Sequence, residues 1–256
     1  MTSTRPTADD LVQPRLDRQV AMHLAATEYD RMADALTALS VDDWSKATDC
    51  PAWNVRELGC HMVGMAEMAT DPQEGERQRT LAGSMIAAEG GEFVDALTAV
   101  QVSERADWAP EQVVAGARSV GPRAAMGREQ TPLVVRQQPL QAAQLVNGVR
   151  EIWSVGFLVD VILTRDPWMH RMDLARATGR DPALTADHDG VIVADVVEEW
   201  SARHDSPYEL ELTGPAGGSW RRGQGGERIE IDAIDFCRIL SGRGQAQGLL
   251  SVAVPF

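Results

Sequence analysis

Apolar side chains recur every three or four residues through most of the first two thirds of the chain, which predicts amphipathic helices. Residues 15–39 show this spacing and predict the first helix; its apolar positions are Met22, Ala25, Tyr29, Met32 and Leu36. A second apolar stripe follows residue 54. Asn54 is a suitable N-cap there, and Glu57 stands at the third helical position, which is the pattern of a capping box.

The rest of this region is less uniform. Residues 92–105, 111–126 and 141–163 are predicted to form further helices, the last of them largely apolar in its second half. Residues 71–90 are polar and contain glycine, which favours a connection with only a fragment of helix. Pro167 is expected to interrupt any helix that runs through it. A helical pattern then resumes over residues 168–178 and ends at Gly179.

After residue 182 the pattern of the chain changes. A helix is predicted over residues 187–203, then a strand in YELELTG, two short strands around a glycine-rich turn in GGSWRRGQGGERIEI, and a closing helix in AIDFCRILSGR. The prediction is an α+β fold: a polar lead-in over residues 1–14, a bundle of at least four helices over 15–182, and a small α+β domain over 183–256.

Composition narrows the classes of partner. The chain has 256 residues and a formal net charge of −14, so its surface should repel phosphate backbones, and we expect no nucleic-acid partner. It contains no run of 18 apolar residues, and we expect no membrane span. The first residues lack an apolar signal region, which predicts a cytoplasmic protein. Cys50, Cys60 and Cys237 form no CxxC pair, which argues against a disulfide framework or a structural zinc knot.

Asp166 and His170 are the first candidates for chemistry. Four residues apart, they share one face of a helix, about one turn from each other. An Asp directly before a proline is also a common helix start, with the Asp as N-cap and the proline as the first helical residue. Asp166 could therefore be a metal ligand, a helix cap, or both.

His61 lies three residues after Leu58 and should face the interior of the bundle or its edge. Taken alone, it is more simply interpreted as a hydrogen-bonded core histidine. Together, however, His61, Asp166 and His170 would supply two imidazoles and one carboxylate, a donor set that catalytic zinc sites use with one position left open. The same donors suit other divalent ions, such as iron(II) or nickel(II).

Four stretches resemble one known family. DCPAWNVRELGCHMVGMAE, residues 49–67, resembles the second-helix signature of the mycothiol-dependent maleylpyruvate isomerase-like proteins, actinobacterial metalloproteins with a DinB-like up-and-down four-helix bundle. TRDPWMHRMDLARATGR, residues 164–180, resembles a later signature of the same family. DFCRILSGR and GLLSVAVPF resemble the end of its C-terminal domain.

The resemblance implies that His61, Asp166 and His170 take the places of the family's three metal ligands. The acidic ligand is a glutamate in the enzyme that names the family, whereas this chain has the shorter Asp166. Asp173 fits a role in orienting His170, although an ion pair with Arg176 is the plainer explanation.

The family also has an arginine that approaches the site from the C-terminal domain. Arg243 is the best match for it and Arg238 the second, and a surface arginine is the alternative for both. An arginine in that place would bind a substrate carboxylate through two parallel hydrogen bonds.

The resemblance also implies a function. A metal with an open position can lower the pKa of a bound thiol, and because none of the three cysteines falls at the ligand spacing, the thiol would come from a cofactor, mycothiol. Reversible addition of the thiolate to an activated double bond would give cis–trans isomerisation, and a variant of the same chemistry would give S-transfer. The expected partners are a small electrophilic substrate and the thiol, with a homodimer as a further expectation. Two alternatives stay open: a bundle that binds a metal or a small molecule without turnover, and a metal-dependent hydrolase that uses metal-bound hydroxide.

Overall fold

The computed structural model describes residues 11–256, in which helices are combined with two small sheets, and the predicted α+β fold is confirmed. The chain divides into two compact units. The first, called here the helical unit, consists of residues 25–131 and 170–182; the second, the mixed unit, consists of residues 132–169, residues 183–256 and the described part of residues 1–24. The domain boundary at residue 182 stays a prediction.

Two helices contribute residues to both units. They are α1, Arg18–Thr37, and α8, Leu163–Thr178. The first agrees with the helix predicted over residues 15–39. Among residues 11–256, no helix combines the length and the apolar character that crossing a membrane requires.

The helical unit is built mainly from four further helices. These are α2 (Val55–Thr70), α3 (Pro72–Glu89), α4 (Phe93–Ser103) and α5 (Pro110–Gln130). The most extensive packing is between α2 and α5, whose apolar faces bury Leu58, Val63, Val113 and Val120. The predicted helices at 92–105 and 111–126 correspond to α4 and α5.

The prediction for residues 71–90 was wrong, because they form the continuous helix α3. Asp71 caps it by accepting a hydrogen bond from the Gln73 amide, and Pro72 is its first residue. Arg77 and Arg79 pair with acidic residues three positions earlier. This helix faces solvent on most of its surface and is stabilised by its cap and ion pairs, so it lacks the apolar stripe by which helices are recognised.

The mixed unit contains two three-stranded sheets. One has the order β1-β3-β2, formed by Leu11–Val12, Val149–Trp153 and Gln144–Val146; the other has the order β5-β4-β6, formed by Gly218–Arg222, Tyr208–Thr213 and Glu227–Asp232. In the second sheet β4 is antiparallel to β5 and parallel to β6, and its side chains alternate between buried and exposed. These three strands confirm the strands predicted after residue 203.

The mixed unit includes the helices α6 (Leu133–Arg136), α9 (Asp189–His204) and α10 (Ala233–Leu240). The last two agree with the predicted helices. Of the predicted lead-in, residues 1–10 lie outside the described residues. Leu11 and Val12 form β1, which pairs in parallel with β3.

A long helix over residues 141–163 was predicted wrongly. The first half of this segment is the hairpin of β2 and β3, whose two-residue turn is Asn147-Gly148. Both turn residues have positive φ, 51° and 77°, as the tight turns that suit hairpins require. Helical structure begins only at α7, Val155–Phe157, and passes through a π-helical turn over Leu158–Ile162 into α8.

The expectation that Pro167 interrupts the helix was also wrong, since α8 runs through it. A proline inside a helix normally clashes with the carbonyl four residues earlier, here that of Leu163. Leu163 has a ψ of 2° instead of about −42° and directly follows the π-helical turn, so the backbone is already displaced where the ring needs room.

At Gly127 the helices α2 and α5 approach each other closely, because a Cβ atom at this position would lie 2.0 Å from the carbonyl oxygen of Ala69. We expect Gly127→Ala to lower the free energy of unfolding by about 1–3 kcal/mol, since the two helices must move apart. Urea denaturation followed by circular dichroism measures this change.

Gly83→Ala is the matched control, because a Cβ atom there meets nothing within 4 Å on α3. It should raise the free energy of unfolding by up to about 1 kcal/mol, as the exchange of Gly for Ala in an exposed helix does. Equal effects of the two variants would contradict the close approach at Gly127.

His204 predicts a pH dependence of stability. Its Nδ1 accepts a hydrogen bond from the Ser206 amide, and its ring packs edge-on against Trp200. Burial and the nearby Arg222 guanidinium lower the pKa of His204 below its ordinary value of 6.5. The unfolded chain therefore takes up this proton first as the pH falls, and the contribution of His204 to stability is lost below about pH 6.5.

Between pH 7.5 and pH 5 the wild type should consequently lose more stability than His204→Gln. The free energies of unfolding of the two proteins should therefore become more similar as the pH falls. Carboxylates also titrate in acid, so the difference between the two proteins is the relevant quantity. A difference that does not change with pH would refute the assignment to His204.

Candidate metal centre

A capping box places His61. The Glu57 amide donates to Asn54 Oδ1 at 3.0 Å and the Asn54 amide to Glu57 Oε2 at 2.9 Å, which confirms the predicted start of α2. His61 is the seventh residue of this helix, and only 3% of its surface is exposed. It therefore faces the interior, as predicted.

The turn before α2 places the aromatic ring of Trp53 against His61. The Trp53 amide donates to the Cys50 carbonyl at 2.9 Å, and the Thr48 hydroxyl donates to the Trp53 carbonyl at 2.8 Å. These bonds hold the indole of Trp53 against His61, with ring centroids 4.8 Å apart and planes inclined by 28°. One face of the imidazole is thus shielded by a large apolar ring. The Cys-Pro-Ala-Trp stretch was noted in the sequence, but this contact was not predicted.

His170 meets His61 inside the helical unit. The two ring centroids are 5.0 Å apart at an interplanar angle of 82°, and a nitrogen of each ring lies within 4.8 Å of the other. His170 is also buried, with 4% of its surface exposed. Two imidazoles that are 109 positions apart in the sequence are thereby brought together, away from solvent.

Asp173 lies beside His170, one turn further along α8. Its Oδ2 is 3.1 Å from His170 Nδ1, and Asp173 is fully buried. A carboxylate in this position keeps the proton on Nδ1 and leaves the lone pair on Nε2, as in many metal-binding histidines. Arg176, the alternative partner considered for Asp173, donates to Asp49 at 3.1 Å.

Asp166 stands one turn before His170 on the same helix, half-buried, and one of its carboxylate oxygens lies within 4.8 Å of a His170 ring nitrogen. It is not the residue at which a helix starts, because α8 begins three residues earlier, at Leu163. The cap interpretation of the Asp-Pro pair was therefore wrong, and the physical reason is the displaced backbone at Leu163 that lets the helix continue through Pro167.

Gln101 was missed in the sequence. Its Oε1 lies 2.8 Å from His61 Nδ1, and both side chains are buried. The signal that could have found it is a single amide in the otherwise apolar run AVQV, residues 99–102 on α4. A buried polar side chain needs a partner, and in this case the partner is a candidate ligand.

Cys50 also borders His170. Its Sγ is 3.9 Å from His170 Nδ1 and 3.7 Å from Asp173 Oδ2, so Cys50, His170 and Asp173 form a second group of potential ligands. In that group Cys50 and Asp173 both approach the same atom, Nδ1 of His170, and the carboxylate of Asp173 is the closer of the two. Cys50 is half-buried, whereas Cys60 and Cys237 are buried, and burial raises the pKa of both of those thiols.

The two predicted arginines lie together in the mixed unit. Arg238 is in the last turn of α10 and is buried, and Arg243 follows the helix in a half-buried turn. The Arg243 amide donates to the Arg238 carbonyl at 2.8 Å, and Arg238 Nη2 lies 3.4 Å from the Arg243 carbonyl. Their role toward a substrate stays a prediction.

Comparison with known proteins relates the helical region to one family. The model of the mycothiol maleylpyruvate isomerase N-terminal domain matches residues 25–175, which include His61, Asp166 and His170. No curated protein sequence matches the chain.

Two solved structures share the fold of the whole chain. One is the mycothiol-dependent maleylpyruvate isomerase, with a TM-score of 0.56 and 15% sequence identity over 94% of this chain and 93% of that one. The other is a mutant of that enzyme with one histidine replaced by alanine, with a TM-score of 0.54 and 14% identity over the same shares. At these identities the likeness establishes a common fold.

Proposed function

Since the chain belongs to the family of the mycothiol maleylpyruvate isomerase N-terminal domain, we propose that it is a metalloenzyme that uses a low-molecular-weight thiol of the mycothiol type. Its reaction would be the isomerisation of a small electrophile that carries a carboxylate, or S-transfer to it. The observation that carries this proposal is the buried pair of His61 and His170, whose rings are 5.0 Å apart.

The donor set fits a divalent cation. His170 has its Nδ1 engaged by Asp173, so Nε2 would be its metal-binding nitrogen, and Asp166 adds a carboxylate one turn away on the same helix. Two imidazoles and one carboxylate are characteristic of catalytic zinc sites and also suit iron(II) or nickel(II). We take His61, Asp166 and His170 as the ligands and Asp173 as the residue that orients His170.

A divalent cation bound at this centre would lower the pKa of a thiol ligand, so that the thiolate is available at neutral pH. The protein's own buried thiols, Cys60 and Cys237, are poor substitutes because burial raises their pKa. Trp53 would keep bulk water away from one face of His61. Arg243, or Arg238 in its place, would bind the carboxylate of the substrate through its guanidinium group.

Metal content is the first test. Gently purified protein should contain about one equivalent of zinc or another divalent metal by elemental analysis, since three protein ligands form a tight site. His61→Ala and His170→Ala should each lose it. His23→Ala, which changes an exposed histidine on α1, is the control and should keep it.

Asp166→Asn and Asp173→Asn separate the two carboxylates. Loss of the direct ligand should weaken metal binding more than loss of the orienting group, for which about 10- to 100-fold is typical. A wild type that stays metal-free after reconstitution, or an Asp166→Asn variant with unchanged affinity, would contradict the assignment.

Activity is the second test. The metal-loaded protein should isomerise a cis-configured conjugated keto acid such as maleylpyruvate only when mycothiol is added. Chromatography that separates the two isomers measures this reaction. Arg243→Ala should lower kcat/KM by about 10- to 100-fold, the cost of losing hydrogen bonds to a charged group. Arg221→Ala, which changes an exposed arginine of β5, is the matched control.

The alternatives predict different outcomes. Hydrolysis without any added thiol would replace the proposal with a hydrolase that uses metal-bound hydroxide. If the protein holds one equivalent of metal but turns over no electrophile that accepts a thiol, the conclusion would be a protein that binds a metal or a small molecule without catalysis.

A further inference from the structure

A chain of buried side chains leads away from His61 within the helical unit. His61 Nδ1 lies 2.8 Å from Gln101 Oε1, Gln101 Nε2 lies 3.0 Å from Gln78 Oε1, and Gln78 Nε2 lies 2.8 Å from Glu74 Oε1. Gln78 is fully buried and Gln101 is 1% exposed. Three helices, α2, α4 and α3, thus contribute to one hydrogen-bonded relay.

The far end of the relay fixes its direction. Besides Glu74, Gln78 Nε2 faces the carbonyl oxygen of Gly64 at 3.1 Å, so both groups at this end only accept hydrogen bonds. Glu74 is held as a carboxylate by Arg77, which donates to both of its oxygens at 2.7 Å and lowers its pKa. The NH₂ group of Gln78 must therefore point to Glu74 and its oxygen to Gln101.

The same argument applies one step further on. Because Gln78 Oε1 is an acceptor, the group of Gln101 that faces it must be the NH₂ group. That group also lies 3.1 Å from the thioether sulfur of Met68, which can only accept. The oxygen of Gln101 is left facing His61, and an amide oxygen can bond Nδ1 only if Nδ1 carries the hydrogen.

Packing holds Gln101 in this place. A Cβ atom at Gly64 would lie 2.7 Å from the Cβ of Gln101, so only glycine lets α4 approach α2 so closely. Gly64 thus admits Gln101 and also supplies the carbonyl that orients Gln78. Reversal of either buried amide would leave acceptors facing acceptors, because the oxygen of Gln101 would meet that of Gln78 and the oxygen of Gln78 would meet that of Glu74.

We propose that Gln101 and Gln78 are positioning residues: they fix His61 as the tautomer with hydrogen on Nδ1, so that Nε2 is the nitrogen that would bind a divalent cation. The part that concerns the cation rests on the metal centre proposed above. The part that concerns the tautomer does not. Neither glutamine touches the cation, and Gln78 acts on His61 only through Gln101.

The wild-type protein tests the tautomer directly. Long-range ¹H–¹⁵N correlation spectra of the metal-free protein at pH 7.5 distinguish the two tautomers, and His61→Ala identifies the His61 signals. The expected result is hydrogen on Nδ1. Hydrogen on Nε2, or an averaged mixture, would overturn the proposal, and this readout needs neither metal nor a glutamine variant.

Variants test the relay. Gln101→Leu should produce a mixture of tautomers and weaken zinc binding by about 10- to 100-fold in a competition titration with a chromogenic chelator. Gln78→Leu should shift both readouts in the same direction by less, although it does not contact the histidine. Gln73→Leu, an exposed glutamine on α3, is the matched control and should change neither.

Gln101→Glu separates positioning from packing, because a carboxylate still accepts the hydrogen of Nδ1. It should keep the wild-type tautomer and bind zinc at least as well as the wild type. Unchanged tautomer and zinc affinity in Gln101→Leu would overturn the relay. If the wild type binds no zinc, the metal centre falls, while the spectrum still decides the relay: hydrogen on Nδ1 supports it and hydrogen on Nε2 refutes it.

Discussion

A buried imidazole offers a lone pair in a defined direction only when its other nitrogen is committed to a partner, and this constraint governs the centre. Asp173 takes Nδ1 of His170 and Gln101 takes Nδ1 of His61. Burial makes these bonds matter, because water cannot replace a lost partner. Three features surround the two rings: the capped helix α2, the indole ring of Trp53, and Gly64, at which α2 and α4 meet. Each of them helps to hold an imidazole in one orientation.

The helix from α7 to α8 is irregular in the part that precedes the candidate ligands. Asp166, His170 and Asp173 follow at intervals of four and three residues and so occupy one face of α8. The π-helical turn before them contains an extra residue per turn, and the backbone is displaced where this turn ends, at Leu163. The same displacement accommodates Pro167.

The parts of this arrangement that were predictable are local or belong to the family. The capping box at Asn54, the strands β4 to β6 and the interior position of His61 all follow from spacing. Two Asp-Pro pairs show where such signals fail: Asp71-Pro72 starts a helix that was not predicted, whereas Asp166-Pro167 lies inside one. The difference depends on the backbone before each pair. The partnership of His61 with Gln101 spans 40 positions, and no local pattern can reveal it.

The unequal partners of the two histidines have a consequence for charge. In the proposed centre, Asp166 and Asp173 would bring two negative charges to a divalent cation, which would balance its charge, and a thiolate ligand would then make the centre anionic. A third carboxylate beside His61 would make the cation a weaker acceptor and oppose deprotonation of the thiol. The neutral amide of Gln101 fixes the tautomer as a carboxylate does but adds no charge. Glu74, the nearest carboxylate along the relay, is separated from His61 by two glutamines and neutralised by Arg77. The relay would thus orient His61 as an anionic partner does while it keeps the negative charge at a distance from the proposed metal site.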